Sequence, residues 1–382
     1  MDYTRSEINW SEKTKNITRR APFCCFVQLA FMATIFSVSC SPSHNYNGEI
    51  SYLSDKAETT ELCGTKIHID DYSPLVNVID SVAIFYQFKS KENFFKIVNV
   101  ESGHVIGSYC PKGHGHNEFV SLSGIEQIYN DNGEFKTILL APNESKIIIW
   151  NITKTITENT TIYDSIYNYA SESKSSVSYN NPHIIGRDSL LFLLPSIRLS
   201  ENDRLTDRYY QMRTLSSDEL IKEIKIFDQP LDNVHSNVLP EVFFNAAISL
   251  KPDKSHFVEA MYWLPQINIV NIKTGDIKGY RFSMNIDETI FMSNMEHALC
   301  CYKSVASNDN YIFALWSGEE MSVINSEKGY QRIDVFDWHG VLNKQYLLRN
   351  PINALKFDTS TGFLYGWNIA EQQLYKYYLF DI

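Results

Sequence analysis

Histidines and cysteines, the side chains best suited to bind soft metals, occur in two stretches of the sequence. One stretch holds His104, Cys110, His114 and His116, and the other holds His297, Cys300 and Cys301. Structural zinc sites pair such residues at tight, repeated spacing, and neither stretch has that repeat. Two residues apart, His114 and His116 would share a face on a strand, but a glycine-rich turn does not make them converge. We therefore expect no bound metal or other cofactor.

Residues for nucleophilic or acid–base catalysis are equally hard to assign. The sequence has no Gly-x-Ser-x-Gly elbow, and the serines of two turn-like segments, 121–124 and 317–319, have no identifiable base. A glycosidase needs two facing carboxylates, and 45 Asp and Glu residues offer too many chance pairs to choose between. We therefore predict no catalytic residue.

The N-terminus carries the clearest functional signal. Arg19 and Arg20 precede an apolar run over residues 21–36, which has the length of a signal-peptide core and is too short to span a bilayer. The run ends in Ser37-Val38-Ser39-Cys40, which resembles the lipobox of bacterial lipoproteins. The thiol of Cys40 would then carry a lipid and Cys40 would become the new N-terminus, whereas an ordinary secretory signal would leave it a chance cysteine.

These features predict a domain organisation. Residues 1–39 are predicted to be a lipoprotein signal peptide, residues 40–62 a flexible tether, and residues 63–382 one domain. The polar stretch after Cys40 has the composition of a tether. The protein is therefore expected in the cell envelope, anchored to a membrane, with the outer membrane favoured, through its N-terminal lipid alone.

Charge and cysteine content exclude some protein classes. The formal net charge is −11, which repels nucleic-acid phosphates, so nucleic acid is not expected as a partner. Beyond Cys40 the cysteines are Cys63, Cys110, Cys300 and Cys301, and the adjacent pair cannot form a disulfide without strain. We interpret them as free thiols that behave as small hydrophobic residues.

Short apolar segments with the length and composition of β-strands recur along the chain. They are Ser81–Phe88, Phe94–Val100, Thr137–Leu140, Lys146–Ile152, Ser189–Leu194, Phe257–Trp263, Tyr311–Trp316 and Leu374–Phe380. Several strands end in an Asn or Asp that is followed by a Gly, as at Asn99–Gly103, Asn271–Gly275, Asn325–Gly329 and Asp358–Gly362. Asn or Asp caps such a turn, and Gly supplies its positive φ. Repeated hairpins of this kind predict a propeller or a large antiparallel sandwich.

Two stretches interrupt this pattern. Tyr163–Pro182 is rich in Ser, Asn and Tyr and is predicted to be a surface loop. Leu199–Lys225 is polar, and Ser216 and Glu219 have capping-box spacing, which predicts a short inserted helix.

Chain length gives an estimate of the number of blades. A blade takes about 40–50 residues, so the length alone would permit seven or eight blades. The two interruptions and the tether lower the estimate to six. The final strand, Leu374–Phe380, and a segment near Lys66–Asp70 are expected to complete one blade from opposite ends of the chain.

Two segments resemble a known family. Lys112–Phe119 looks like the Gly-x-Gly-Pro-x-Glu-Phe motif of TolB-like six-bladed propeller lipoproteins, with Gly113, Gly115, Glu118 and Phe119 at the motif positions and His116 where the family usually has Pro. The hairpins of Ile333–Ile382 are similar as well. The resemblance implies an all-β, six-bladed propeller lipoprotein of the bacterial envelope, and it implies no established activity.

Two functions are compatible with these observations. We favour a non-catalytic binding or scaffold protein whose propeller mouth recognises an envelope protein, peptide or glycan. The alternative is a hydrolase or lyase that acts on polysaccharide through carboxylates at the channel mouth. For Glu118 and Phe119 we favour a structural role, in which Phe119 enters the core and Glu118 accepts backbone hydrogen bonds.

Overall fold

The structure is a computed structural model that describes residues 46–53, 57–70, 73–168, 182–186, 191–199, 205–227, 244–284, 295–322 and 331–379. All of them belong to one compact unit, Ser43–Ile382. Their strands form six sheets of four or five strands each. Within each blade, strands that follow one another along the chain pair antiparallel, as the alternating apolar runs predict.

Three blades are continuous in sequence. Blade 1 consists of β4 (Leu75–Ile79), β5 (Val82–Tyr86), β6 (Asn93–Asn99) and β7 (Val105–Pro111). Blade 2 consists of β8 (Ser123–Asp131), β9 (Glu134–Ala141), β10 (Lys146–Asn151) and β11 (Tyr163–Asn168). Blade 3 consists of β12 (His183–Ile184), β13 (Leu191–Leu199), β14 (Leu205–Thr214) and β15 (Leu220–Phe227).

The other three blades each gain an outer strand from the N-terminal part of the domain. Blade 4 combines β16 (Ala246–Leu250), β17 (His256–Met261), β18 (Gln266–Asn271) and β19 (Ile277–Phe282) with β1 (Glu49–Leu53). Blade 5 combines β20 (Leu299–Ser307), β21 (Tyr311–Glu320), β22 (Arg332–Asp337) and β23 (Leu342–Leu348) with β2 (Glu58–Leu62). Blade 6 combines β24 (Ala354–Asp358), β25 (Phe363–Asn368) and β26 (Gln373–Tyr377) with β3 (Thr65–His68).

Apolar side chains fill the space between neighbouring blades. Six buried clusters each combine residues from two adjacent sheets, and together they include every neighbouring pair, blade 6 with blade 1 among them. Phe85 of blade 1, for example, packs edge-on against Trp367 of blade 6 with ring centroids 5.0 Å apart. The ring of sheets is therefore closed, and the predicted six-bladed β-propeller is confirmed.

Strand β26 pairs antiparallel with β3, in the register Gln373↔His68 to Lys376↔Thr65. The two ends of the chain therefore complete blade 6 together, as the sequence predicts. The closure removes an open sheet edge at the point where the ring would otherwise split.

Strands β1 and β2 lie in the segment that was predicted to be a flexible tether. They pair parallel with β19 and β23, and Tyr46 forms an isolated bridge with Phe227 of blade 3. With β3 they make an N-terminal belt, residues 46–53 and 57–68, along the outer edges of successive blades. The tether prediction is therefore wrong for residues 49–53 and 58–62. The β2 sequence ETTEL is polar because four of its five residues face solvent, which hides the strand from an apolar-pattern search.

The predicted helix at Ser216–Glu219 is wrong as well. These residues close the β14–β15 hairpin, where the Thr214 amide donates to the Glu219 carbonyl and Arg213 Nε donates to Asp218 Oδ1 at 2.7 Å. Because β14 and β15 extend from Leu205 to Phe227, the polar stretch is part of blade 3 rather than an insertion. Likewise, Tyr163–Asn168, predicted as loop, is strand β11, whereas residues 169–181 lie outside the described residues.

Among the described residues the α-helix is α1 (Ile152–Glu158), with 3-10 turns at Pro142–Glu144 and Met295–His297. Asn151 caps α1, and its side chain accepts a hydrogen bond from the Lys154 amide at 3.0 Å. No helix within the described part of the chain is long and apolar enough to cross a membrane.

Candidate ligand-binding site at the channel mouth

The first strands of the blades, β4, β8, β12, β16, β20 and β24, lie next to one another and are therefore the inner strands. Strand β8 contacts β4, β12 and β16, strand β20 contacts β16 and β24, and β24 contacts β4. Where they end, they enclose a cavity of about 320 Å³, and we call this cavity the channel mouth. All six inner strands or their following turns contribute to its lining. The lining side chains that can donate or accept hydrogen bonds or carry charge are Asn77, Glu126, Gln127, Tyr129, Asn130, His183, Ser249, Lys251, Lys254, Ser307, Lys356 and Thr359.

Amide side chains hold the inner strands of blades 1 to 3 together at this mouth. Asn77 Nδ2 donates to the Ile125 carbonyl at 3.0 Å, which joins β4 to β8. Gln127 Nε2 donates to the Ile184 carbonyl at 2.9 Å, and Gln127 Oε1 accepts from the Ile184 amide at 2.6 Å. The Gln127 side-chain amide thus pairs with the Ile184 backbone as a neighbouring strand would, and it joins β8 to β12. Because these bonds satisfy buried polar groups, the wall of the cavity is preorganised.

Hydroxyls and one carboxylate make the corresponding links on the other side of the ring. Ser249 Oγ lies 2.8 Å from Ser307 Oγ, which connects β16 to β20. The Leu355 amide donates to Ser304 Oγ at 3.1 Å, which connects β20 to β24. Asp358, which is fully buried, accepts from the Asp80 amide at 3.2 Å and connects blade 6 to blade 1.

A bulge in β8 shapes the blade 2 side of the mouth. Pairing with β9 passes from Gly124↔Leu139 to Ile128↔Thr137, so β8 holds two more residues than its partner there. Ile125 has φ +74°, an uncommon conformation for a β-branched residue, and its side chain is buried. A Cβ on Gly124 would lie 2.6 Å from the Ile138 carbonyl oxygen, so the bulge requires glycine. Bulges re-aim side chains, and this one directs Glu126 and Gln127 to the cavity.

Lysine dominates the charge of the lining. Lys251, Lys254 and Lys356 line the cavity, and Glu126 is the one carboxylate among the described lining residues. Lys356 Nζ lies 3.2 Å from Glu126 Oε2, and these side chains are 16% and 31% exposed. Lys254 Nζ lies 5.5 Å from the centre of the Tyr129 ring. The mouth is thus richer in cations than the acidic chain as a whole.

The third lysine, Lys251, is turned toward the edge of the mouth. Its Nζ lies 2.8 Å from Asp253 Oδ2 and 5.7 Å from the centre of the Trp338 ring. Burial alone would raise the pKa of Asp253, but hydrogen bonds from Lys251 and Ser255 outweigh it and lower this pKa to about 2. Asp253 is therefore ionised at neutral pH and neutralises Lys251.

The motif residues Gly113, Gly115, Glu118 and Phe119 lie elsewhere, in the turn that follows β7. Glu118 Oε2 accepts a hydrogen bond from the Gly115 amide at 2.9 Å, and the Gly113 amide donates to the Phe119 carbonyl at 3.1 Å. Any Cβ on Gly113 would lie 2.0 Å from Glu118 Oε2. The spacing of the motif therefore fits a carboxylate that folds back over two glycines.

Phe119 anchors this turn in the core between blades 1 and 2. Its side chain is buried and packs edge-on against Tyr163 with ring centroids 5.7 Å apart. Lys146 Nζ lies 5.8 Å from the centre of the Phe119 ring. Both residues thus have the geometry of the structural role favoured above.

The potential metal ligands are not brought together. His104, His114 and His116 are exposed, whereas Cys110 is buried and its pKa is raised by desolvation. His297 Nδ1 lies 3.0 Å from Glu320 Oε2 at the surface. Over the part of the chain that the structure describes, no three His, Cys, Asp or Glu side chains form a potential metal site.

The two cysteines of the second histidine- and cysteine-containing stretch are buried thiols. Cys300 and Cys301 are free and buried, and desolvation raises the pKa of Cys300 to about 11 despite a hydrogen bond with Tyr262. Neither thiol is therefore activated as a nucleophile at neutral pH. Cys40, the predicted lipidation site, lies outside the described residues.

Comparison with known families agrees with this architecture. Residues 207–360 match the TolB-like 6-blade propeller-like family. The resemblance predicted from the sequence is confirmed over these residues, although they do not include the turn at 112–119. A search of curated proteins found no match.

Solved structures resemble the propeller at low sequence identity. A member of the DUF4221 family from Bacteroides vulgatus is 10% identical, with a TM-score of 0.53 over 85% of this chain and 94% of its own. An exported protein from Bacteroides fragilis is 11% identical, with a TM-score of 0.49 over 87% and 99%. Virginiamycin B lyase from Staphylococcus aureus is 9% identical, with a TM-score of 0.43 over 84% and 100%. At these identities the likeness concerns the fold and does not select a function.

Sequence analysis did not identify the mouth residues. Their spacing, from Asn77 to Thr359, shows no motif, because each blade contributes only a few of them. Gly124 was the one available signal, since glycine inside a strand marks a bulge. It was instead assigned to a turn-like segment.

Proposed function

We propose that this protein is a non-catalytic binding module of the bacterial envelope and that its ligand binds in the channel mouth. The cavity of about 320 Å³ at the ends of the inner strands carries the proposal. Ligand sites are typically concave, preformed and lined by a few convergent polar groups. Inter-blade bonds from Asn77 and Gln127 fix the wall in advance, which lowers the entropic cost of binding.

The residues that line the mouth favour a binding function over that of a polysaccharide hydrolase or lyase. Glycoside hydrolysis generally requires two carboxyl groups on opposite sides of the scissile bond. Among the described lining residues Glu126 is the one carboxylate, and it is engaged by Lys356 at 3.2 Å. His183 also lines the cavity but is buried. Candidate ligands are an envelope glycan, peptide or protein segment.

Export and lipid anchoring complete the proposal. The lipobox-like residues Ser37–Cys40 follow an apolar run of signal-peptide length. Only residues 41–45 separate Cys40 from Tyr46, the first residue of the belt. A lipid on Cys40 would therefore hold the propeller through the belt rather than through a long flexible linker.

Ligand capture by the full-length protein tests the binding site. The detergent-solubilised protein is incubated with fractionated glycans and peptides from a bacterial envelope, and retained molecules are identified by mass spectrometry. Thr359→Trp, at the exposed rim of the cavity, should abolish capture by filling the mouth. Thr59→Trp, on the exposed face of β2, is the matched control and should capture like the wild type. Equal capture by both variants would exclude the mouth as the binding site.

Metabolic labelling with an alkyne fatty acid tests the anchor. Cys40→Ala should lose the label, because the thiol that accepts the lipid is absent. Cys63→Ala removes an exposed free thiol of the propeller and should label like the wild type. Retention of the label in Cys40→Ala would contradict lipidation at this residue.

A further inference from the structure

We infer that the protein has a second binding site, for a neutral saccharide, in a cleft at the outer edge of the propeller between blades 1 and 2. We call this cleft, which has a volume of about 330 Å³, the side cleft. It is separate from the channel mouth, so the inference does not depend on the proposed function. The lining residues on which the inference depends are Asn93, Tyr109, Asn117, Asn159, Thr161 and Tyr163.

An insertion in blade 2 builds one wall of the side cleft. Five residues or fewer join the third strand to the fourth in blades 1, 3, 4 and 5, whereas residues 152–162 join β10 to β11. These residues form α1 and the turn after it, and α1 contacts β7, the outer strand of blade 1. Asn159 and Thr161 of the lining come from this insertion. Irregular segments on a rigid scaffold often carry binding residues, which makes the insertion a suitable place for a ligand site.

Two hydrogen bonds hold the insertion against blade 1. Tyr109 Oη donates to Asn159 Oδ1 at 3.1 Å, and the Cys110 amide donates to Thr161 Oγ1 at 2.9 Å. Both bonds join β7 to the segment that follows α1, so the two walls meet at two defined points. Because these bonds are present without a ligand, the side cleft is preformed, and binding costs less conformational entropy.

Asparagines at two reversals of the chain supply amide groups to the side cleft. Asn159 caps the C-terminal end of α1 with φ +50°, and Asn117 lies in the turn after β7 with φ +62°, a conformation that asparagine tolerates. Tyr109 occupies Asn159 Oδ1, whereas Asn159 Nδ2 and the side-chain amides of Asn93 and Asn117 have no hydrogen-bond partner among the described residues. These amide groups are therefore available to a ligand.

The chemistry of the lining selects a neutral ligand that is rich in hydroxyl groups. No charged side chain occurs among the described residues of the lining, so the side cleft offers no counter-charge to an ionic ligand. Side-chain amides and hydroxyls can both donate and accept hydrogen bonds, as the hydroxyls of a sugar do. Tyr109 and Tyr163 add aromatic surface that can contact the C–H groups of a sugar ring. A neutral saccharide satisfies both requirements.

Saturation-transfer difference NMR with the full-length protein tests the inference. The probes are four neutral disaccharides (maltose, cellobiose, lactose and N,N′-diacetylchitobiose) and a capped neutral peptide, N-acetyl-triglycine amide. We expect at least one disaccharide to bind with a dissociation constant on the order of 1 mM and the peptide not to bind. Failure of all four disaccharides to bind, or binding of the peptide alone, would overturn the inference.

Asn159→Asp tests the side cleft with almost no change of shape. The aspartate keeps an oxygen that accepts from Tyr109, but it lacks the Nδ2 donor, so disaccharide binding should weaken about tenfold. Asn117→Asp should weaken binding in the same direction. The matched control is Asn132→Asp, which makes the same change at an exposed asparagine with φ +55° outside the cleft and should bind like the wild type. Equal affinity in all three variants would contradict binding in the side cleft.

Thr359→Trp, the variant that fills the channel mouth, separates the two sites. It should leave disaccharide binding unchanged, because Thr359 lines the mouth and not the side cleft. Loss of disaccharide binding in Thr359→Trp, together with full binding by Asn159→Asp, would place the saccharide in the mouth and overturn the inference. That result would leave the proposed function of the mouth intact, so the two proposals can fail independently.

Discussion

The Gly113–Phe119 turn and the channel mouth use polar residues in opposite ways. In the turn, the Glu118 carboxylate bonds to a backbone amide three residues earlier, so its charge is used within a single loop. At the mouth, Glu126 on blade 2 pairs with Lys356 on blade 6, and both side chains remain partly exposed. The turn therefore pairs its one carboxylate internally, whereas the mouth presents charged groups to whatever enters it.

This difference shows why a recognisable motif need not mark the functional site. A local turn constrains neighbouring residues in sequence, so it leaves a spacing that can be read directly. The mouth constrains residues that lie up to 282 positions apart, between Asn77 and Thr359, and leaves no spacing to read. Variants in the two regions should accordingly separate stability from binding.

Phe119→Ala should give the largest effect and should affect stability alone. The ring is buried between blades 1 and 2, and its removal should lower the free energy of unfolding by about 3–4 kcal/mol. Ligand capture per folded molecule should not change, because Phe119 does not line the mouth. Urea unfolding followed by tryptophan fluorescence measures the loss. Val120→Ala, at the exposed neighbouring position, is the control and should change stability by less than about 0.5 kcal/mol.

Gly124→Ala should affect both stability and binding, because the bulge shapes the mouth. Its φ of +111° and the nearby Ile138 carbonyl oxygen disfavour any side chain, so we expect a loss of about 2–3 kcal/mol. Gly133→Ala is the matched control: it also has positive φ, +88°, but open space around it, and should cost about 1 kcal/mol without altering capture. Equal losses in the two variants would show that the bulge does not require glycine.

The regular part of the fold could be predicted from sequence because its signals are local. Apolar runs such as Phe257–Trp263 mark strands that are buried on both faces between blades. The turn Asn271–Gly275 connects β18 to β19 through a hydrogen bond to the Asn271 side chain and a glycine at φ +86°. The contribution of both chain ends to blade 6 followed from the same reasoning. The repeat at Asn325–Gly329 lies outside the described residues.

The errors arose where tertiary contacts override a local pattern. Ser216 and Glu219 have the spacing of a capping box, but Arg213 binds Asp218 and favours a hairpin. The apolar run Lys146–Ile152 predicted a strand, but the strand ends at Asn151, which caps helix α1. The belt strand β2 is polar because it lies on an outer edge. None of these outcomes can be deduced without knowing which blade lies next to the segment.

Asp358→Asn should weaken the link between blades 6 and 1 at the mouth, with a dependence on pH. Burial would raise the pKa of Asp358, but hydrogen bonds from Ser360 and Thr361 outweigh it, so this pKa lies below its ordinary value. A carboxylate with a depressed pKa stabilises the fold above its unfolded pKa and loses that contribution as pH falls through its folded pKa. The variant should therefore lose about 1–2 kcal/mol at neutral pH, and the difference from wild type should shrink below roughly pH 4. Unfolding curves across this range measure it, and a difference that is independent of pH would contradict the assignment.

The smallest effect is expected at His116, the position where the family motif usually has Pro. His116 is exposed, and among the described residues no acceptor is found for its backbone N–H. Proline removes only that N–H and lowers the entropy of the unfolded chain, so His116→Pro should change the free energy of unfolding by about 0.5 kcal/mol or less, in the stabilising direction. The matched substitution Asn117→Pro should destabilise, because Asn117 has φ +62°, which proline cannot adopt. If His116→Pro destabilised the protein as much as Asn117→Pro, the conformation of the turn would differ from that described, and the structural explanation of the motif would fail with it.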